Sequence, residues 1–184
     1  MNVIPMGHGA ALASTYDPWL VALSITIATI AAYVALTLGE RVTHTQGRAR
    51  SLWLLGGAAA MGSGIWSMHF TGMLAVHLPV PVRYDLPTVA LSLLAAVAAS
   101  GVALIVVSRR MLGWRSWLVG GLVMGGGIGA MHYSGMAAMR VDAMPRWDPV
   151  VVAASLVVAV AVSLVALWLV FHLRDVAGWR TPTE

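Results

Sequence analysis

An uninterrupted apolar run of about 20 residues is long enough to cross roughly 30 Å of hydrocarbon, and this chain contains five: 19–38, 52–76, 87–107, 117–139 and 149–172. Inside a bilayer the backbone finds no water to bond, which leaves only helices and closed barrels as spanning structures. The runs lack the short alternation of barrel strands. The expected fold is therefore all-α, a polytopic transmembrane helical bundle of about five spans. Composition agrees: 59% of the 184 residues are hydrophobic, only 10% are charged and the mean hydropathy is +0.83, against about 25% charged in a soluble domain. Three parts follow: an outer amino-terminal segment at 1–18, a membrane domain at 19–174 and a cytoplasmic tail at 175–184. The stretch before the first span carries Gly, Pro and Asp but no basic region, so no signal peptide is expected.

Every basic residue is an arginine, and their placement orients the bundle through the excess of positive charge on cytoplasmic loops. Loop 39–51 holds Arg41, Arg48 and Arg50, and loop 108–116 holds Arg109, Arg110 and Arg115. The other two connections balance Arg83, Arg140 and Arg146 with Asp85, Asp142 and Asp148. The amino terminus is thus expected outside, and the carboxyl terminus, with Arg174 and Arg180, in the cytoplasm of a bacterial inner-membrane protein. A pI of 10.3 reflects this asymmetry. The arginines are few and separated by spans, which argues against nucleic acid as a partner and for the lipid bilayer. Cysteine is absent, which excludes disulfides and thiolate metal sites.

A gapless internal repeat organises the chain. A shift of 63 residues, from 69 to 132, carries Met61, Gly62, Met68, His69 and Met73 onto Met124, Gly125, Met131, His132 and Met136. It continues into the next helices, taking Asp85, Ser92 and Ser100 onto Asp148, Ser155 and Ser163. Fixed-period similarity marks a duplicated supersecondary unit. A unit with an even number of crossings gives parallel copies, so both Met-His boxes should lie at equal depth. The first span resembles half of a third unit, because Tyr16-Asp17-Pro18-Trp19 precedes Ser24 as the later Asp residues precede Ser92 and Ser155. Asp17, Asp85 and Asp148 are read as helix N-caps, and Trp19, Tyr84 and Trp147 as interfacial aromatics.

His69 and His132 fall near the outer ends of the second and fourth spans. A histidine within a span is costly and usually faces the bundle interior or a wet cavity. Met73 and Met136 each follow a histidine by four residues, so each pair shares a helix face. Met68 and Met131 are turned about 100° away. His69, Met73, His132 and Met136 together offer mixed imidazole and thioether donors, a set suited to copper, above all Cu(I). Gly121, Gly125 and Gly129 form a small-residue stripe near the His132 face, expected to draw the two boxes together. Methionine also fills core gaps, and packing accounts for Met61, Met111, Met124, Met139 and Met144. His77, and His8 near Met6, are expected at the outer surface.

The boxes Met68-His69-Phe70-Thr71-Gly72-Met73 and Met131-His132-Tyr133-Ser134-Gly135-Met136, with the Met61-Gly62-Ser63-Gly64-Ile65-Trp66-Ser67 approach, resemble the MHYT family of bacterial membrane sensor domains over nearly the whole chain. The resemblance implies a non-enzymatic sensor that binds copper through its Met/His positions and senses a small diatomic ligand, O2, CO or NO, or redox state. Relatives typically carry a third box, more helices and a fused cytoplasmic signalling enzyme. With two boxes here, the site is expected to be partial, either completed in a homo-oligomer or cut short by truncation, and the output is expected to pass to a separate cytoplasmic signalling protein. Two other readings stay open. One is haem held by His69 and His132 as axial ligands. The other is a metal transporter or chaperone with a relay inward from His8 and His77, although no broken helix is apparent. No Ser-His-Asp grouping is evident, and Gly125-Gly126-Gly127 lacks the Lys-Ser/Thr of a phosphate loop.

Overall fold

The computed structural model describes residues 2–4, 15–109, 113–141, 144–146 and 148–174. Five helices dominate: α1 (Pro18–His44), α2 (Gly47–Leu74), α3 (Leu86–Val107), α4 (Trp114–Ala137) and α5 (Pro149–Arg174). Met6, His8, Arg110, Met111, Asp142, Trp147 and the tail 175–184 lie outside the described residues, as do the side chains of Met144, Arg146 and Arg174. Helices α1, α3 and α5 are each long and apolar enough to cross a membrane. Helices α2 and α4 are also long, at 28 and 24 residues, but glycine and polar residues dilute them. Each packs between two apolar helices, α2 between α1 and α3 and α4 between α3 and α5. The two box helices therefore lie alongside the spans.

The expected caps are present. Asp17 accepts hydrogen bonds from the backbone N–H groups of Trp19 and Leu20 at 2.8 and 3.3 Å, and Asp148 from those of Val150 and Val151 at 2.8 and 3.4 Å. Asp85 accepts from both the hydroxyl and the backbone N–H of Thr88. These bonds, with Arg140 at 3.7 Å, hold the Asp85 carboxyl below the usual carboxylate range. A depressed acid stabilises the fold above its ordinary pKa and loses that contribution as pH falls through the lowered one. This cap therefore outlasts a free carboxylate on acidification.

Loop 39–51 is a correction. Helix α1 continues to His44 and only Thr45 and Gln46 separate it from α2. Beyond the hydrocarbon a helix needs no apolar residues, so Glu40, Arg41 and His44 prolong it into water. Gly47, at φ 60°, supplies the left-handed turn. At the opposite end, pairing occurs where the sequence suggested plain loops. Strands β1 (Asn2–Ile4), β2 (Thr15–Tyr16), β3 (Val76–His77), β4 (Val82–Tyr84), β5 (Met139–Val141) and β6 (Met144–Arg146) form the antiparallel pairs β2·β3, β4·β5 and β6·β1. The three ribbons are separate, and each joins a strand that leads into α1, α3 or α5 to one that does not.

The repeat is visible in the packing. A Cβ on Gly62 would lie 2.5 Å from the Val97 Cα, and one on Gly125 would lie 2.5 Å from the Val160 Cα. Gly64 likewise abuts Ala31 on α1, and Gly127 abuts Ala99 on α3. Asp17 donates its N–H to the Ala75 carbonyl and Asp85 to that of Ala138, both at 2.8 Å. Matched positions differ by 63 in the box helices and by 68 between α1 and α3. Helix α3 thus closes the first copy and opens the second. Toward the arginine-bearing end, Met61 and Met124 line an apolar cavity of about 160 Å³ beside the buried Leu104 and Leu167.

Lipid is as apolar as a leucine side chain, so close packing rather than exclusion from water holds these helices together. Gly62→Ala and Gly125→Ala should each destabilise the bundle by about 1–3 kcal/mol through overpacking against backbone. Gly126→Ala, which would meet nothing within 4 Å, should be neutral or stabilising by up to about 1 kcal/mol through helix propensity. Unfolding in mixed micelles followed by circular dichroism separates the two classes, and equal behaviour would contradict the packing described.

Candidate functional site

Parallel copies set the two boxes at one depth, and their histidines meet. The His69 and His132 ring centroids lie 4.9 Å apart with the planes inclined at 60°. Among the described residues, two buried side-chain polar atoms lack a hydrogen-bond partner, His69 Nε2 and Ser100 Oγ. An unsatisfied buried polar group is costly. Gly135 makes room for the His69 nitrogen, since a Cβ there would lie 2.8 Å from Nε2.

The glycine stripe is a second correction. Gly121, Gly125 and Gly129 face Leu164, Val160 and Leu156, which belong to α5 rather than α2. Periodicity identifies a small-residue face but not the helix that covers it. The approach of the boxes depends instead on Gly135, whose position inside the motif was the available signal. Met131 is buried and Met68, Met73 and Met136 are half-buried on the same two helices. The Met68 carbonyl accepts a hydrogen bond from Ser24 Oγ at 2.8 Å, which fixes α1 against the first box. His77 is exposed in β3, opposite Thr15. Among the described residues no three of His, Cys, Asp and Glu gather into a group that could hold a metal ion.

The serines seven residues after each cap anchor the box helices, but with different donors. Ser92 receives the Trp66 indole N–H at 3.0 Å, whereas Ser155 shares a hydrogen bond with the Tyr133 hydroxyl. In the repeat Trp66 corresponds to Gly129 and Tyr133 to Phe70. Each copy therefore has one donor where the other has none. Phe70 stacks on Trp66 with centroids 4.6 Å apart, filling the place where Tyr133 makes its bond. Sequence comparison aligned the serines but could not name their partners.

A family profile described as "Bacterial signalling protein N terminal repeat", MHYT, matches the chain three times, over residues 6–56, 62–120 and 125–180. The chain is 49% identical over 163 residues to the bifunctional diguanylate cyclase/cyclic di-GMP phosphodiesterase MucR of Pseudomonas aeruginosa, covering 89% of the chain and 24% of that protein. It is 45% identical over 160 residues to the cyclic di-GMP phosphodiesterase NbdA of the same organism, and 41% over 159 residues to the signalling protein YkoW of Bacillus subtilis. Those alignments cover 87% and 86% of the chain but only 20% of each relative. The chain thus spans about a quarter or less of the proteins it matches. No solved structure matches it.

The donor exchange gives a quantitative test. A double-mutant cycle of Tyr133→Phe with Ser155→Ala should yield a coupling of about 0.5–1.5 kcal/mol, the range for hydrogen bonds between membrane helices. The cycle of Phe70→Leu with Ser92→Ala should give nearly none. Equal couplings, measured by unfolding in micelles, would rule out the exchange.

Proposed function

The chain belongs to the MHYT family of bacterial signalling-protein repeats, and from that premise we propose that it is a sensory module whose two boxes hold a copper ion. The observation that carries this reading is the contact between His69 and His132, with a buried, unpartnered nitrogen on His69. At 4.9 Å between centroids the rings are close enough for both to reach one ion at the roughly 2 Å bonds that imidazole makes to metals. Met73 and Met136, one turn beyond, are the proposed thioether donors, with Met68 and Met131 flanking them. This donor set favours Cu(I), which would supply a soft coordination position for O2, CO or NO or a change of redox state.

The protein's own part is to hold the pair. The Asp17 and Asp85 bonds to Ala75 and Ala138 pin the outer ends of the box helices, Ser24 and Ser155 fix α2 and α4 against α1 and α5, and Gly135 keeps space beside the His69 ring. Haem fits less well. Axial imidazoles on opposite faces of a macrocycle sit roughly 6 Å apart by the same bond length, whereas these rings are in contact. The arginine-bearing end is assigned to the cytoplasm of an inner-membrane protein by its charge, and output passes from there to a cytoplasmic signalling domain of the kind named in the relatives. No catalytic residue is assigned to this chain.

Metal analysis and an absorption spectrum of the purified protein test the reading together. Copper near one ion per site, lost in His69→Ala with His132→Ala and lowered about 10- to 100-fold in affinity by Gly135→Ala, which disturbs the ligand's support, is the expected result. Unchanged copper in the double variant would remove these residues from the site. A strong Soret band would replace copper with haem.

A further inference from the structure

At the arginine-bearing end, α3 and α4 part around a cleft of about 360 Å³. Its wall is apolar, with Val102, Val119 and Val123, and its mouth holds Arg109, Arg115 and Ser116. Val119 and Val123 are 59% and 45% exposed, so the apolar wall opens sideways to where lipid would lie. Arg109 donates to Ser116 Oγ at 3.0 Å, and the Arg115 guanidinium lies 5.5 Å from the Trp114 ring centroid. Among the described residues, no acidic side chain lines the cleft.

The internal repeat explains why the space exists. Trp53 is the equivalent of Ser116 and Arg41 that of Arg109. In the first copy the Arg41 guanidinium lies over the Trp53 ring at 4.9 Å, so an indole occupies the place and the cation rests on it. The second copy replaces that indole with a serine, which empties the place and leaves two guanidiniums at its mouth. We propose that this cleft binds an anionic phospholipid, its phosphate at Arg109, Arg115 and Ser116 and an acyl chain along Val102, Val119 and Val123. Basic residues at a helix boundary attract anionic headgroups, guanidinium is suited to forked contact with phosphate, and the exposed valines supply the apolar track that a soluble anion would not need. The copper reading plays no part in this assignment.

Native mass spectrometry of the full chain released from bilayers of equal phosphatidylcholine and phosphatidylglycerol reads the occupant directly. Retained phosphatidylglycerol is expected, reduced about tenfold or more in Arg109→Gln with Arg115→Gln, since each arginine contributes on the order of 1 kcal/mol. Ser116→Trp should reduce it as well, and it installs a residue the first copy already accommodates. Arg48→Gln, which removes an arginine at the same end but outside the cleft, should leave it unchanged. Equal retention of phosphatidylcholine, insensitivity to both cleft variants, or displacement by millimolar inorganic phosphate would each overturn the proposal.

Discussion

Two helices in lipid gain nothing by hiding leucine from one another, so this bundle depends on how closely its backbones can approach. Gly62 against Val97 and Gly125 against Val160 are those approaches. Because they recur at one spacing, the copies share a geometry as well as a sequence pattern. Helix α3 supplies Val97 to the first contact and Ala99 to the neighbouring helix of the second copy, so its two faces fix α2 and α4 together. The meeting of His69 with His132 follows from that shared support.

Around the histidines, polar groups are used sparingly and for position. The serines meet a carbonyl, an indole and a phenol, and the caps tie the ends of the box helices to their neighbours. Against this background the free nitrogen of His69 is conspicuous, because the fold satisfies comparable groups within a few residues of it. A buried polar atom without a hydrogen-bond partner is costly in such surroundings.

Much of this was legible in the sequence because it rests on local rules. Asp-Pro and Asp-Leu-Pro mark helix starts wherever they occur, and the shift of 63 residues placed both histidines at one depth before any coordinates. Long-range choices were not legible. Nothing in Gly121, Gly125 and Gly129 says whether α2 or α5 covers them, since a small-residue face suits either neighbour. The length of α1 was hidden because apolar character stops at the membrane while helix propensity does not. Pairings as brief as Thr15 with His77 leave no alternation to detect. The histidine pair itself was inferred from symmetry, and Gly135, which opens the space beside it, was read only as a letter of the motif.

The exchanged donors at Ser92 and Ser155 bear on how such a duplicated protein can drift. Once one copy came to rely on an indole and the other on a phenol, restoring identity at residue 66, 129 or 133 alone would strip a serine of its bond or crowd Leu156 at Gly129. The halves are locked into their differences. Residues 66, 129 and 133 each resist reverting alone, which makes the asymmetry of the repeats as durable as their likeness.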